Sequence, residues 1–157
     1  MTTRRKQRFC AGLLAIGMLA AVPVSVWGQA SPERAGTYQP KFPGDPAHSE
    51  SEALALAYMR TMLRAQHAYE KRHGKYADSL SALAGTGSFT KRLAGTTELG
   101  DYKVSFRPHK GKGDEGFVLT MTPKQMDADH RSFYAEEDGA IHADDQKPAD
   151  ADSPKIK

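Results

Sequence analysis

The stretch "YEKRHGKYADSL", Tyr69 to Leu80, decides how the chain is read. It places a tyrosine at the end of an amphipathic run, then Lys71, Arg72 and His73, a glycine, a second tyrosine and a leucine. Cations beside the last carbonyls and a glycine just beyond them mark a helix C-terminus, because glycine enters the left-handed conformation without steric penalty. Tyr69 then packs from the last turn, Gly74 reverses the chain, and Tyr76, Leu80 and Leu83 return apolar surface to the same core. Asp78 is placed to cap a single helical turn through Leu83. On this view the stretch is a fastener and not a reactive centre.

Toward the N-terminus, Leu56, Met59, Met62 or Leu63, Gln66 and Tyr69 recur every three to four residues, with Arg60, Arg64, His67 and Lys71 mostly on other faces. Ser49 and Glu52 have capping-box spacing, and Glu50 adds negative charge at the positive end of the helix dipole. Together these predict one helix of roughly 24 residues, about 36 Å long. Residues 31–48 carry Pro32, Pro40, Pro43 and Pro46 with Gly36 and Gly44, which predicts an extended linker. Residues 1–30 combine Arg4, Arg5, Lys6 and Arg8 with an apolar run from Phe9 to Trp27, then Gly28 and Ala30 at the positions a signal peptidase reads. They are expected to be a secretory signal peptide cut after Ala30. Because the apolar run reaches the lower limit for a spanning helix, an uncleaved inner-membrane anchor is the alternative. Cys10 and Trp27 fall inside this leader, so the processed chain would have no disulfide or thiolate chemistry.

Toward the C-terminus the apolar period changes to two. Tyr102, Val104 and Phe106 alternate with Lys103, Ser105 and Arg107; Phe117, Leu119 and Met121 alternate with Val118, Thr120 and Thr122. These two strands predict a hairpin through "HKGKGDE". A second hairpin pairs Ser132 to Ala135 with Ala140 to Ala143 across Asp138 and Gly139. Between them and the long helix, "SFTKRLAG" reads as a short helix. Residues 144–157 are acidic, contain proline and are poor in apolar side chains, which predicts a disordered tail. The expected fold is α+β: one long N-terminal amphipathic helix packed on a three- to four-stranded antiparallel sheet, with residues 49–143 as the globular domain.

The formal charge of +3 is supplied by the leader: without its four basic residues, 18 Lys and Arg face 19 Asp and Glu. Nucleic acid is therefore excluded as an expected partner. The histidines lack the pairing of helix-borne zinc sites. Asp127 to Asp129 offer oxygen ligands without the spacing or glycine of an EF-hand, so a plain acidic turn is preferred to a calcium loop. Ser132, His130 and Asp127 are the only close nucleophile, base and acid, and no nucleophile-elbow glycines surround them. No catalytic residue and no cofactor is assigned. Lys110 to Lys112 form a basic hairpin tip, read as solvated.

Taken in order, the residues Tyr69, Gly74, Tyr76, Leu80 and Leu83 after a long helix, then short antiparallel strands and "RSFYAEEDGAIHA" with Phe133, Tyr134, Asp138, Gly139 and Ile141, resemble the globular headpiece of type IV pilin-like and type II secretion pseudopilin-like proteins. The resemblance covers about Ser49 to Ala143. It implies a non-enzymatic structural or protein-interaction module of the cell envelope, periplasmic or extracellular, with envelope proteins or pilin-like subunits as partners. Membrane contact is expected only through the N-terminal segment. The chain departs from that family in lacking the N-terminal hydrophobic helix with its glutamate, and in the Pro-rich linker before Ser49. The alternative function is a small periplasmic ligand- or calcium-binding protein.

Overall fold

The computed structural model describes residues 38–110 and 115–156. The proposed signal peptide, the start of the linker and Gly111 and Lys112 of the basic tip lie outside the described residues. Helix α1 spans Glu50–His73 and the short helix α2 Lys91–Ala94. Five strands follow: β1 (Glu98–Leu99), β2 (Tyr102–Lys110), β3 (Glu115–Pro123), β4 (Ser132–Glu136) and β5 (Ile141–Asp144). They form one sheet in sequence order, every neighbour antiparallel.

The expected sheet of three to four strands is thus corrected to five. The added strand, β1, pairs only Glu98 with Lys103 and Leu99 with Tyr102. Two residues cannot display an alternation, so nothing in their sequence marks them as a strand. The long helix is corrected from N-terminal to internal: it spans Glu50–His73, the stretch that its cap and apolar period predict.

At its N-terminus Ser49 is the cap, its hydroxyl accepting from the Glu52 N–H at 3.2 Å. The reciprocal half of a capping box is absent, because the Glu52 carboxylate accepts from the His48 N–H and from Arg131. At the other end Gly74 has φ 70° and ψ 12°, left-handed as expected, and donates its N–H to the Glu70 carbonyl at 2.7 Å. Thr90 caps α2 by accepting from the Leu93 N–H. In the segment after Gly74 it is Ser79, not Asp78, whose side chain accepts from a following N–H, that of Ala82, and the chain there forms successive turns.

Alternation puts one row of β residues under α1. Val104, Met121, Phe133 and Ala143 are register partners across four strands, and Phe106, Leu119, Ala135 and Ile141 form the next row. Against them α1 buries Ala55, Leu56, Met59, Met62 and Ala65. Tyr102 stacks on Phe133 at 5.8 Å between centroids, and Phe106 on Phe117 at 6.0 Å. Tyr58 meets Phe89 edge-on at 5.9 Å and donates its hydroxyl to the Leu93 carbonyl, tying α2 to the core; burial pushes that phenol up to about 12. On the outer edge of β2 the Val104 N–H reaches Thr97, so the alternation of an antiparallel ladder points the Pro108 position outward too. A residue without an N–H costs the sheet nothing there.

The C-terminal segment is not a disordered tail. Past Asp144 the chain crosses the sheet face opposite α1, where the buried Ser132 hydroxyl donates to the Asp144 and Lys147 carbonyls and accepts from the Ala149 N–H. It then returns along β5: Ala143 N–H donates to Pro154 and Ile156 N–H to Ile141. Composition predicts disorder because the apolar surface is small. The segment is instead held by short aspartate turns and by the unsatisfied edge of β5. The described part of the linker, residues 38–48, likewise folds back, with Ala47 buried and the Tyr38 hydroxyl donating to Asp45.

Candidate functional site

The opening stretch is fastened by a glutamine. Gln66 lies on the apolar stripe of α1, is 1% exposed, and its amide pairs with both backbone groups of Ala77: it accepts from the N–H at 2.9 Å and donates to the carbonyl at 3.1 Å. The two tyrosines flank this clamp and are half-buried. Tyr69 packs on His73, its own neighbour one turn on, at 4.1 Å, whereas Tyr76 meets Phe117 edge-on at 5.3 Å. Leu83 is fully buried and Leu80 partly so. Desolvation raises the Tyr76 phenol above its ordinary value.

Returning the chain at Tyr76 creates a trough. One wall is the second half of α1, where Arg60, Arg64 and Lys71 stand four and eleven residues apart on one stripe. The opposite wall is the β4–β5 turn, Glu137 to Gly139, and the floor is apolar: Leu63, Tyr76, Phe117, Ile141 and Ile156. Two adjoining hollows of about 450 and 380 Å³ share Leu63, Arg64 and Gly139. Both acids of the far wall have side-chain partners. Glu137 lies 3.2 Å from His109, and Asp138 lies 2.9 Å from Lys155, whose hydrogen bond holds the Asp138 carboxyl below its usual range.

Tyr76 from the first quoted motif and Asp138, Gly139 and Ile141 from the second therefore meet at one place. Tyr69 and Gly74 lie beyond its end, Leu80, Leu83 and Phe133 belong to the core, and Tyr134 faces away, donating to Glu136 at 2.8 Å. The sequence gives no warning of Phe117 or Ile156 in the floor. The recurrence of Arg60, Arg64 and Lys71 on a single stripe was visible, and is the signal that could have located the wall.

The other candidates are not assembled as a nucleophilic site. His130 Nδ1 lies 2.8 Å from Asp127, an interaction that lowers the Asp127 carboxyl, but the Ser132 hydroxyl is bonded to backbone under the C-terminal segment. Asp127 also accepts from the Asp129 N–H, closing its own loop. Among the described residues no group of three or more His, Cys, Asp or Glu side chains is arranged to hold a metal ion.

Buried charge sits instead at the start of α1. Glu52, fully buried, takes Arg131 in a two-pronged pair, Nε to Oε1 at 3.1 Å and Nη2 to Oε2 at 2.7 Å, and also accepts from the Arg131 N–H. Arg131 donates further to the Pro46 carbonyl. This network joins the linker, α1 and the loop before β4. Sequence reasoning saw Glu52 only as a cap.

No protein-family model, curated protein or solved structure matches the chain.

Proposed function

We propose that the chain is a non-catalytic protein-interaction module of the cell envelope, of the pilin- or pseudopilin-like kind, exported through its N-terminal segment. The observation that carries the proposal is the convergence of Tyr76, Asp138, Gly139 and Ile141, drawn from both motifs of the resemblance, on an open trough rather than on a reactive constellation. Its support is the use made of polar side chains elsewhere: Gln66, Glu52, Arg131 and Ser132 are committed to backbone or to one another. His142 joins them through the Ser153 carbonyl. These groups hold segments together, and a groove with an apolar floor is what remains free to bind.

Two measurements test it. The mass of the native amino terminus should correspond to a chain starting at Ser31, or to an intact leader with the protein in the membrane fraction. A leaderless or unprocessed chain in the soluble interior of the cell removes the envelope assignment. Chromogenic ester, peptide and phosphoester substrates should show no turnover above buffer. Turnover that disappears in His130→Ala, with its melting temperature unchanged, removes the non-catalytic assignment.

A further inference from the structure

We infer that the trough between α1 and the β4–β5 turn is a docking site for an acidic segment of a partner protein, with one apolar side chain of that segment seated on the floor. This rests on the interaction-module proposal and names the chemistry of the partner. Arg60, Arg64 and Lys71 line one wall, and among the described residues none of them lies within ion-pair distance of a carboxylate. Of the acids opposite, Asp138 pairs with Lys155 and Glu137 lies within hydrogen-bond distance of His109. The helix wall therefore presents positive charge that closes no ion pair among the described residues, Arg60 acting only at longer range on Asp45, above apolar surface that a side chain can fill. A segment bearing carboxylates around an apolar anchor satisfies both.

Other occupants fit less well. The chain's own first thirty residues carry four cations and no acid, so the basic wall repels them. A lipid surface needs protruding apolar groups, and here they lie on a recessed floor. A phosphate backbone would answer the basic wall but brings no apolar side chain for the recessed floor. The acidic run of a second copy, Asp144 to Asp152, has Asp144 and Asp150 bonded within its own fold.

The test uses the full chain and a fluorescein-labelled peptide Asp-Glu-Phe-Asp-Glu-Leu-Asp, with twins carrying Lys for every acid or Ser for Phe and Leu. Anisotropy should show saturable binding of the acidic peptide alone, weakened about tenfold or more by Arg60→Glu with Arg64→Glu and by added salt. The charge-reversed protein should in turn bind the Lys twin, which shows that it is folded. Backbone amide shifts should concentrate in Leu63 to Lys71 and Gly139 to Ile141. No saturable binding up to about millimolar peptide, or equal binding by the charge-reversed protein, overturns the inference. Tighter binding to phosphatidylglycerol vesicles, or self-association lost on charge reversal, overturns it in favour of a membrane or a second copy. A photo-crosslinker at Arg64 and another at Thr120, on the opposite sheet face, separate this inference from the proposal beneath it. Adducts in the native envelope from Thr120 alone overturn the trough and leave the interaction module standing; none from either position overturns both.

Discussion

Gln66 occupies the same stripe of α1 as Met59 and Met62, where a polar group is tolerated only if its amide is fully bonded. Ala77, itself buried, supplies both partners. Gln66→Leu keeps the apolar volume but leaves an N–H and a carbonyl without partners, so urea unfolding should show a loss of about 3 kcal/mol; a loss below about 0.5 kcal/mol would mean that Ala77 finds other partners. Gly74 gives a separable test, because a methyl group there meets nothing within 4 Å. Gly74→Ala should therefore cost about 1 kcal/mol through the left-handed backbone alone, and an unchanged midpoint would show that the turn relaxes. At this scale the sequence was half legible. The order of basic residues and glycine located the helix end, and spacing put Gln66 on the inner face. Its partner was hidden, since a backbone group eleven residues away leaves no side-chain signature.

Helix α1 and the loop before β4 are joined by Glu52 and Arg131, and the value of that join depends on both charges being present. A buried pair often contributes little net stability over an apolar pair, but removing one member strands the other without solvent. Arg131→Met alone should cost about 3 to 5 kcal/mol, whereas Glu52→Leu combined with Arg131→Met should cost less than either single change. A double variant as unstable as the sum of the singles would show that the two groups act independently. Strands β2 and β3, with a clear two-residue period, and β4 and β5, flanking the Asp138–Gly139 turn, were legible as two hairpins. Register was not: Ser132 to Ala135 pair with Ile141 to Asp144, one residue beyond the expected Ala140 to Ala143, and the β3–β4 pairing that joins the two hairpins has no turn between its strands to announce it. The two-residue β1 was not legible, because it is held by the tight turn into β2 and has no pattern of its own. The same holds for the trough wall: each basic residue of α1 looked solvated singly, and only the returning chain at Tyr76 gave the stripe an apolar floor.

For the whole molecule, the C-terminal segment closes what the helix leaves open, covering the outer sheet face near Ser132 and occupying the free edge of β5. Three aspartates hold it, and each has its carboxyl below the ordinary value of 3.8: Asp138 through the hydrogen bond of Lys155, Asp150 through that of Lys147, and Asp144 through the Gln146 N–H. A depressed folded-state value means that the charged form is favoured by folding. The stabilisation is therefore complete above the unfolded value and is lost as pH falls through the lower folded values. Below about pH 4 the segment should release from β5 before α1 leaves the sheet. Backbone amide spectra between about pH 6 and about pH 2 should show Ala143 and Ile156 losing their bonded shifts while Leu56 and Met59 keep theirs. Simultaneous loss at all four would make the segment an inseparable part of the core, and no change at Ala143 and Ile156 would show that backbone pairing along β5 holds it without the carboxylates. Releasing the segment also bares an unpaired strand edge. Self-association should accordingly rise over the same acidic range, and sedimentation that stays monomeric after those amides shift would show that the exposed edge of β5 is too short to recruit another chain.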